Sequence, residues 1–228
     1  MERWRGRTVL ITGASSAVGA AVACKLVYHG MKVIGSGRNV KKILALSNQL
    51  KEEDGMSFIQ GGSLFPLKCD ISKEENIIKM FQIIMELYGG VDVCIHCACA
   101  KMDASILQGN AAELKRMLEI NVQASSIISR EVVKSLASRG VDDGHIFYIN
   151  STASHLVPED PGVHVLSMTQ HACLAQAEAL RLELRQMRSR IRTTTICPGK
   201  TKNDYVRRDG RSYQQNGEII VDAFQVKQ

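Results

Sequence analysis

Aromatic residues are scarce, at 5% of 228 positions, with a single Trp. With so few rings to stack on bases and with its basic residues spread along the chain, a net charge of +6 does not read as a nucleic-acid surface. The densest cationic group, Arg185, Arg188, Arg190 and Arg192, closes a long helical pattern, where positive charge suits the helix dipole without a ligand. No apolar run approaches the roughly 18 residues a membrane helix needs, so no membrane span is expected. The start, Met1-Glu-Arg-Trp-Arg, is charged where a secretory leader is apolar. Seven cysteines, several inside apolar runs (Cys24, Cys69, Cys173, Cys197), are therefore expected to be reduced, buried thiols, and the cytoplasm is the expected compartment. Repeats, low-complexity stretches and linkers are also missing, which favours one domain over residues 1–228.

What is present is an ordinary globular balance, 45% apolar and 23% charged, enough for a full core. Short apolar runs alternate with amphipathic stretches throughout. "TVLIT" (Thr8 to Thr12) predicts a strand, and Val18 to His29 a helix stopped by Gly30. "KVIGSG" predicts a second strand and Val40 to Glu52 a second helix. "FPLKCD" predicts a third strand, with Ser72 and Glu75 as a capping box for a helix over Lys73 to Tyr88. "VDVCIHCA" predicts a fourth strand, followed by a long helix from Ala111 to Ser138. "HIFYINS", a helix over Leu166 to Met187, "IRTTTIC" and "EIIVDA" complete the pattern. Such alternation predicts a doubly wound α/β domain: about seven mostly parallel strands, helices on both faces, and ligand at the carboxyl ends of the strands.

"CIHCAC", Cys94 to Cys99, raises the question of a metal. On a strand, Cys94 and His96 share one face while Cys97 and Cys99 lie on the other, so four ligands cannot converge on one tetrahedral ion. No metal is expected; buried strand-end thiols are the simpler reading.

"TGASSAVGA" joins the first strand to the first helix. Glycines at such a turn let the backbone approach a pyrophosphate, whose charge meets the helix N-terminus. Together with "CDIS", "INV", "VDDGHIFYINS", "ALRLELR" and "ICPG", this turn makes the chain resemble the short-chain dehydrogenase/reductase family over nearly its whole length. The resemblance implies a Rossmann-type domain and NADP(H). It also implies a small carbonyl or alcohol substrate of steroid- or retinoid-like kind, and pairing into dimers or tetramers through the long helices. For the cofactor it implies contacts from Gly13, Ser15, Ser16, Ala17, Val18, Gly19, Arg38, Asn39, Asp70, Ile71, Cys97, Ala98, Gln170, Pro198, Gly199 and Thr201. Arg38 stands where NAD-preferring relatives carry an acid, which favours a 2′-phosphate.

Ser151 and Asn121 match the family's serine and asparagine of the active site. Departures from the pattern are equally clear. Ala17 replaces the middle glycine of the turn. "HCAC" replaces Asn-Asn-Ala-Gly, and Cys97 and Cys99 are expected to crowd the adenosine side. Counting back from "EALRLELR", Leu166 and Gln170 occupy the positions of the family's Tyr-x-x-x-Lys pair. Leucine cannot move a proton, and glutamine carries no charge to tune a neighbour. Lys200 to Gly217 is too short for the family's substrate lid, so a shortened lid is expected. The expected function is an NADP(H)-binding family member with strongly impaired carbonyl/alcohol oxidoreduction. Alternatives are an active enzyme with a relocated proton donor such as His164, and a non-catalytic regulatory or interaction protein.

Overall fold

A computed structural model describes residues 2–52 and 61–199. The first half runs β1 (Thr8–Thr12), α1 (Ala17–Tyr28), β2 (Lys32–Gly37), α2 (Val40–Glu52), β3 (Ser63–Lys68) and α3 (Glu74–Tyr88). The second runs β4 (Val93–His96), α4 (Ala111–Met117), α5 (Ala124–Ala137), β5 (His145–Ile149), α6 (His164–Gln186) and β6 (Arg192–Ile196). Every strand pairing is parallel, in the order β3-β2-β1-β4-β5-β6. This is the doubly wound order, and its direction reverses between β1 and β4.

Strand parity divides the core between the two faces. Leu10, Ile34, Cys94 and Ile146 pack on one face against Ile77, Met80 and Ile84 of α3 and Ile128, Val132 and Leu136 of α5. Val9, Ile11, Val33 and Val93 pack on the other against Ala23 and Val27 of α1 and Ile43 of α2. β1 is buried at all five positions because it has a strand on each side and helices above and below. That explains its unbroken apolar sequence in place of alternation.

The structure corrects two local expectations. The long helix is interrupted: Leu118–Gln123 between α4 and α5 is a π-helical segment, and Asn121 lies within it. The capping box at Ser72 does not form. Both the Ser72 N–H (3.2 Å) and its hydroxyl (2.8 Å) donate to Asp70 Oδ1, and α3 begins at Glu74 behind an N-cap Lys73 that makes no side-chain cap bond. An Asp two residues earlier closes a local turn that outcompetes the helix for the serine. Gly30 stops α1 as expected: it follows the cap His29 in the left-handed conformation at φ +79° and donates to Val27 O at 2.8 Å. Six strands are seen among the described residues; the predicted seventh, Glu218 to Ala223, and the segment expected to form a short lid lie outside them. No helix among the described residues is long and apolar enough to cross a membrane.

Candidate active site

The reversal between β1 and β4 opens a crevice at their carboxyl ends, where ligands of doubly wound sheets bind. Gly13 makes the turn there with φ +69°, and a Cβ on it would lie 2.8 Å from Ala98 Cα. A Cβ on Gly19 would come within 2.5 Å of the Gly13 carbonyl oxygen. Both positions therefore require glycine, while Ala17, which begins α1, fits as an exposed helical residue. Ser16 caps α1 by accepting from the Gly19 N–H at 3.1 Å. Val18 follows Ala17 in the first turn, and the N-terminal N–H groups of such a turn lack intrahelical partners. Ser15 borders Gly37 at the end of β2. The β4 end is pinned across the crevice: Cys97 N donates to Thr12 O at 3.1 Å and Ala98 N to Thr12 Oγ1 at 3.3 Å. Thr12 was missed as a site residue; only its place at the end of "TVLIT" hinted at it.

On the β2 side, Arg38 is exposed just beyond the strand. Asn39 caps α2 through Oδ1, which accepts from Lys42 N at 3.3 Å, and Ile71 packs its side chain on the core. Burial acts to raise the Asp70 pKa, but the Ser72 hydroxyl and N–H, with Arg38 and Arg116 nearby, hold it below the usual carboxylate range. The Asp70 carboxylate and the exposed Arg38 thus lie near one another at this end of the crevice.

On the other side, the structure brings Asn121, Gln170 and Cys99 together. The Asn121 side chain spans Ala100, accepting from its N–H at 2.7 Å and donating to its carbonyl at 3.0 Å. The same amide donates to Thr169 Oγ1 at 2.9 Å, which ties the π segment to α6. Gln170 is buried and directs Nε2 to Cys99 Sγ at 3.6 Å. Asn150, also missed from sequence, donates to the Gln170 carbonyl at 3.0 Å and accepts from Ser151 N at 3.0 Å. Ser151 Oγ accepts from Ala153 N at 3.2 Å, leaving its own proton to donate. Ser167 Oγ donates to Ala153 O at 2.7 Å, so α6 and the Ser151 turn are locked together. Leu166 packs with Met102 and Ala100 on the small cluster of Ala104, Met117 and Val165. Pro198 accepts from Thr152 N at 3.1 Å and Gly199 follows it at the rim; Thr201 lies outside the described residues.

Cys99 was expected on the adenosine side. The structure places it instead beside Gln170, because the chain leaves β4 after His96 and turns toward α6. Its backbone is ordinary: among described non-glycine residues only Arg188 has positive φ. Burial raises the Cys99 thiol to about 11, opposed by the Gln170 hydrogen bond and Lys101, although the residue keeps surface exposure. Cys97 packs on the opposite core cluster from Cys94, and burial pushes its thiol up to about 12. Cys94 Sγ and His96 Nε2 are 3.8 Å apart on one face, the parity that the strand demands. Among the described residues no three His, Cys, Asp or Glu side chains converge as a metal site.

A family model described as short chain dehydrogenase matches residues 7–214. The chain belongs to the short-chain dehydrogenase family. It is 44% identical over 205 residues to dehydrogenase/reductase SDR family member 11 of Gallus gallus, covering 90% of this chain and 78% of the relative. The human protein of the same name is 42% identical over 205 residues, covering 90% and 77%. Farnesol dehydrogenase of Aedes aegypti is 36% identical over 229 residues, covering 100% and 89%. Among solved structures, a variant actinorhodin polyketide ketoreductase with NADPH superimposes with a TM-score of 0.78 at 24% identity, covering 89% of this chain and 74% of its own. A metagenomic short-chain oxidoreductase in complex with NADP gives 0.75 at 23% identity, covering 86% and 84%. These last two show the fold.

Neither histidine near the family's proton-donor position is presented to the crevice as a free acid. His164 opens α6 with Nε2 3.0 Å from the Pro158 carbonyl, so that nitrogen carries the proton and donates it there. His171 Nδ1 likewise donates to the Ser167 carbonyl at 2.9 Å. Tyr148 is core: buried, stacked on His96 with centroids 5.0 Å apart, and bonded to Ser129 Oγ at 2.7 Å.

Proposed function

We propose that this chain is an NADP(H)-binding short-chain dehydrogenase in which carbonyl or alcohol oxidoreduction is strongly impaired. The observation that carries the proposal is the start of α6, where Leu166 packs on apolar neighbours and Gln170, one turn later, spends its amide on Cys99. An ionisable donor is missing from both positions, and proton transfer by a positioned side chain is typically worth ~10²–10⁴-fold.

The residues present fit a dinucleotide at the crevice between β1 and β4. Gly13 and Gly19 let the turn pack directly on the Ala98 and Gly13 backbone, where a Cβ would clash, and the first turn of α1 offers N–H groups to a pyrophosphate. Arg38 suits a 2′-phosphate, which a carboxylate there would repel. Asp70, held ionised, serves the adenosine end. The bound cofactor supplies or accepts a hydride at a substrate carbon. Ser151, with its hydroxyl proton unspent, orients the substrate oxygen; Asn121 holds the Ala100 loop in place. The exposed side chains of Leu156, Val157 and Met168 near this rim support a carbonyl or alcohol carried on an apolar body, steroid-like or terpenoid. Two comparisons agree with that direction: a farnesol dehydrogenase is among the relatives, and NADP or NADPH accompanies two of the structural neighbours.

The test is equilibrium titration of the purified protein with NADPH and NADP+, followed by nicotinamide fluorescence, and then NADPH oxidation with a panel of ketones and aldehydes. Saturable binding with very slow oxidation is expected. No saturation by either nucleotide would remove the cofactor reading, and rapid oxidation would remove the impairment.

A further inference from the structure

One pair of reactive side chains takes no part in the proposed chemistry. The Cys197 thiol, just past β6, faces the His155 imidazole with Sγ 3.3 Å from Nε2. Ser154 Oγ lies 3.5 Å from the same sulfur. The two segments are held at fixed spacing by the backbone: Asn150 N donates to Ile196 O at 2.8 Å and Thr152 N to Pro198 O at 3.1 Å. Proximity in sequence could not reveal the pair, since 42 residues separate its members.

The contacts leave the imidazole as the base available to the thiol. Ser154 already donates its proton to the Ser151 carbonyl at 2.6 Å, so it can offer sulfur only a lone pair. In the tautomer that carries the imidazole proton on Nδ1, His155 presents a basic nitrogen to the S–H group, and an imidazole is a far stronger base than a hydroxyl oxygen. The thiolate is the nucleophilic form of cysteine, and a general base within hydrogen-bond reach can take the thiol proton as the new bond forms. Access completes the arrangement: Cys197 is half-buried and His155 is exposed. Cys94 and Cys99 each lack one element of this set. Cys94 also faces an imidazole but is fully buried, and Cys99 sits against the Ala100 carbonyl and the Gln170 amide.

We propose that Cys197 and His155 form a covalent capture site for apolar α,β-unsaturated aldehydes and ketones. The class follows from the surroundings. A soft thiolate adds to a soft conjugated carbon, and Leu156 and Val157, both more than half exposed, follow His155 as an apolar landing surface. In the step, His155 Nε2 takes the thiol proton and Cys197 Sγ forms a bond to the β-carbon. The C=C π pair moves to the carbonyl as an enolate, and the imidazolium returns its proton to the α-carbon. The product is a thioether with the carbonyl retained; no oxidant or reductant enters. The addition itself uses no nicotinamide cofactor.

The experiment treats the full chain, without nucleotide, with trans-2-nonenal at neutral pH and follows adduct formation by intact mass and peptide mapping. One fast adduct on Cys197 is expected, absent in Cys197→Ser and slowed about 10²-fold or more in His155→Ala, as lost general-base catalysis implies. His155→Gln, which keeps side-chain bulk, should be slowed similarly, and melting temperatures of all three variants confirm folded protein. First modification at Cys99 with Cys197 untouched would overturn the proposal. So would unchanged rates on Cys197 in the folded histidine variants.

Discussion

Acidification should destabilise this fold well above the pH at which carboxylates titrate, and two buried histidines set the size of the effect. His96 is stacked on Tyr148, beside Ser129 Oγ at 3.2 Å, and burial lowers its pKa to about 4. His145 is also held down to about 4, first by burial and then by Arg192 and Arg3, with Nε2 2.8 Å from Thr194 Oγ1. An unfolded histidine titrates near 6.5, so between about 6.5 and 4 the unfolded chain binds protons that the folded chain refuses. Stability is therefore full above that window and falls as pH drops through it. From pH 7.5 to 5 each histidine of this kind costs about 2 kcal/mol, about 4 together, against a typical total of roughly 5–15 kcal/mol. The depressed carboxylates Asp70 and Glu131 lose their contribution only at lower pH, which leaves the window to the histidines. Urea denaturation at pH 7.5, 6 and 5 measures the slope, and His96→Asn should flatten it by about half whatever its stability at pH 7.5. His145→Asn gives the same comparison if the first variant does not fold. A slope unchanged in both variants would refute the reasoning.

Other consequences follow from single residues. Gly13→Ala places a Cβ 2.8 Å from Ala98 at φ +69°, and should cost about 1–3 kcal/mol in urea melts and abolish nucleotide binding by fluorescence titration. Asn121→Leu removes the partner of the Ala100 N–H and leaves its carbonyl only the weak Cys99 Sγ contact, and should destabilise the chain by about 2–4 kcal/mol in the same melts. Arg38→Ala should reduce the preference for NADPH over NADH by at least about tenfold, measured as the ratio of dissociation constants, since a charge-assisted contact of about 1.5–3 kcal/mol is lost.

Where periodicity and turn chemistry act locally, the fold was readable from the chain. "KVIGSG" and Val40 to Glu52 form the strand and helix their patterns predict, residue for residue. Strand parity correctly separated Cys94 and His96 from Cys97. The π segment was invisible, because six residues of altered winding do not disturb an apolar pattern enough to be seen. Ser72 was misread because a cap and an Asx turn draw on the same side chain, and the choice depends on Asp70. The glycine turn was legible through its steric demand. The hydrogen-bond ring of Asn150, Asn121, Thr169 and Gln170 was not, since its members come from three separate elements. The turn of Cys99 toward Gln170 depends on how the loop leaves β4, which side-chain alternation does not encode.

The central claim is that the cofactor crevice is retained while the proton donor and its tuning cation are gone from α6. Single-turnover oxidation of saturating NADPH with a panel of carbonyl compounds, in the original protein and in the Leu166→Tyr, Gln170→Lys double variant, tests it most directly. The double variant should oxidise NADPH about 10²-fold faster or more, within the range for a restored proton donor. Robust turnover in the original protein, unimproved by the two substitutions and lost in His164→Ala, would contradict the claim and place the donor at the start of α6.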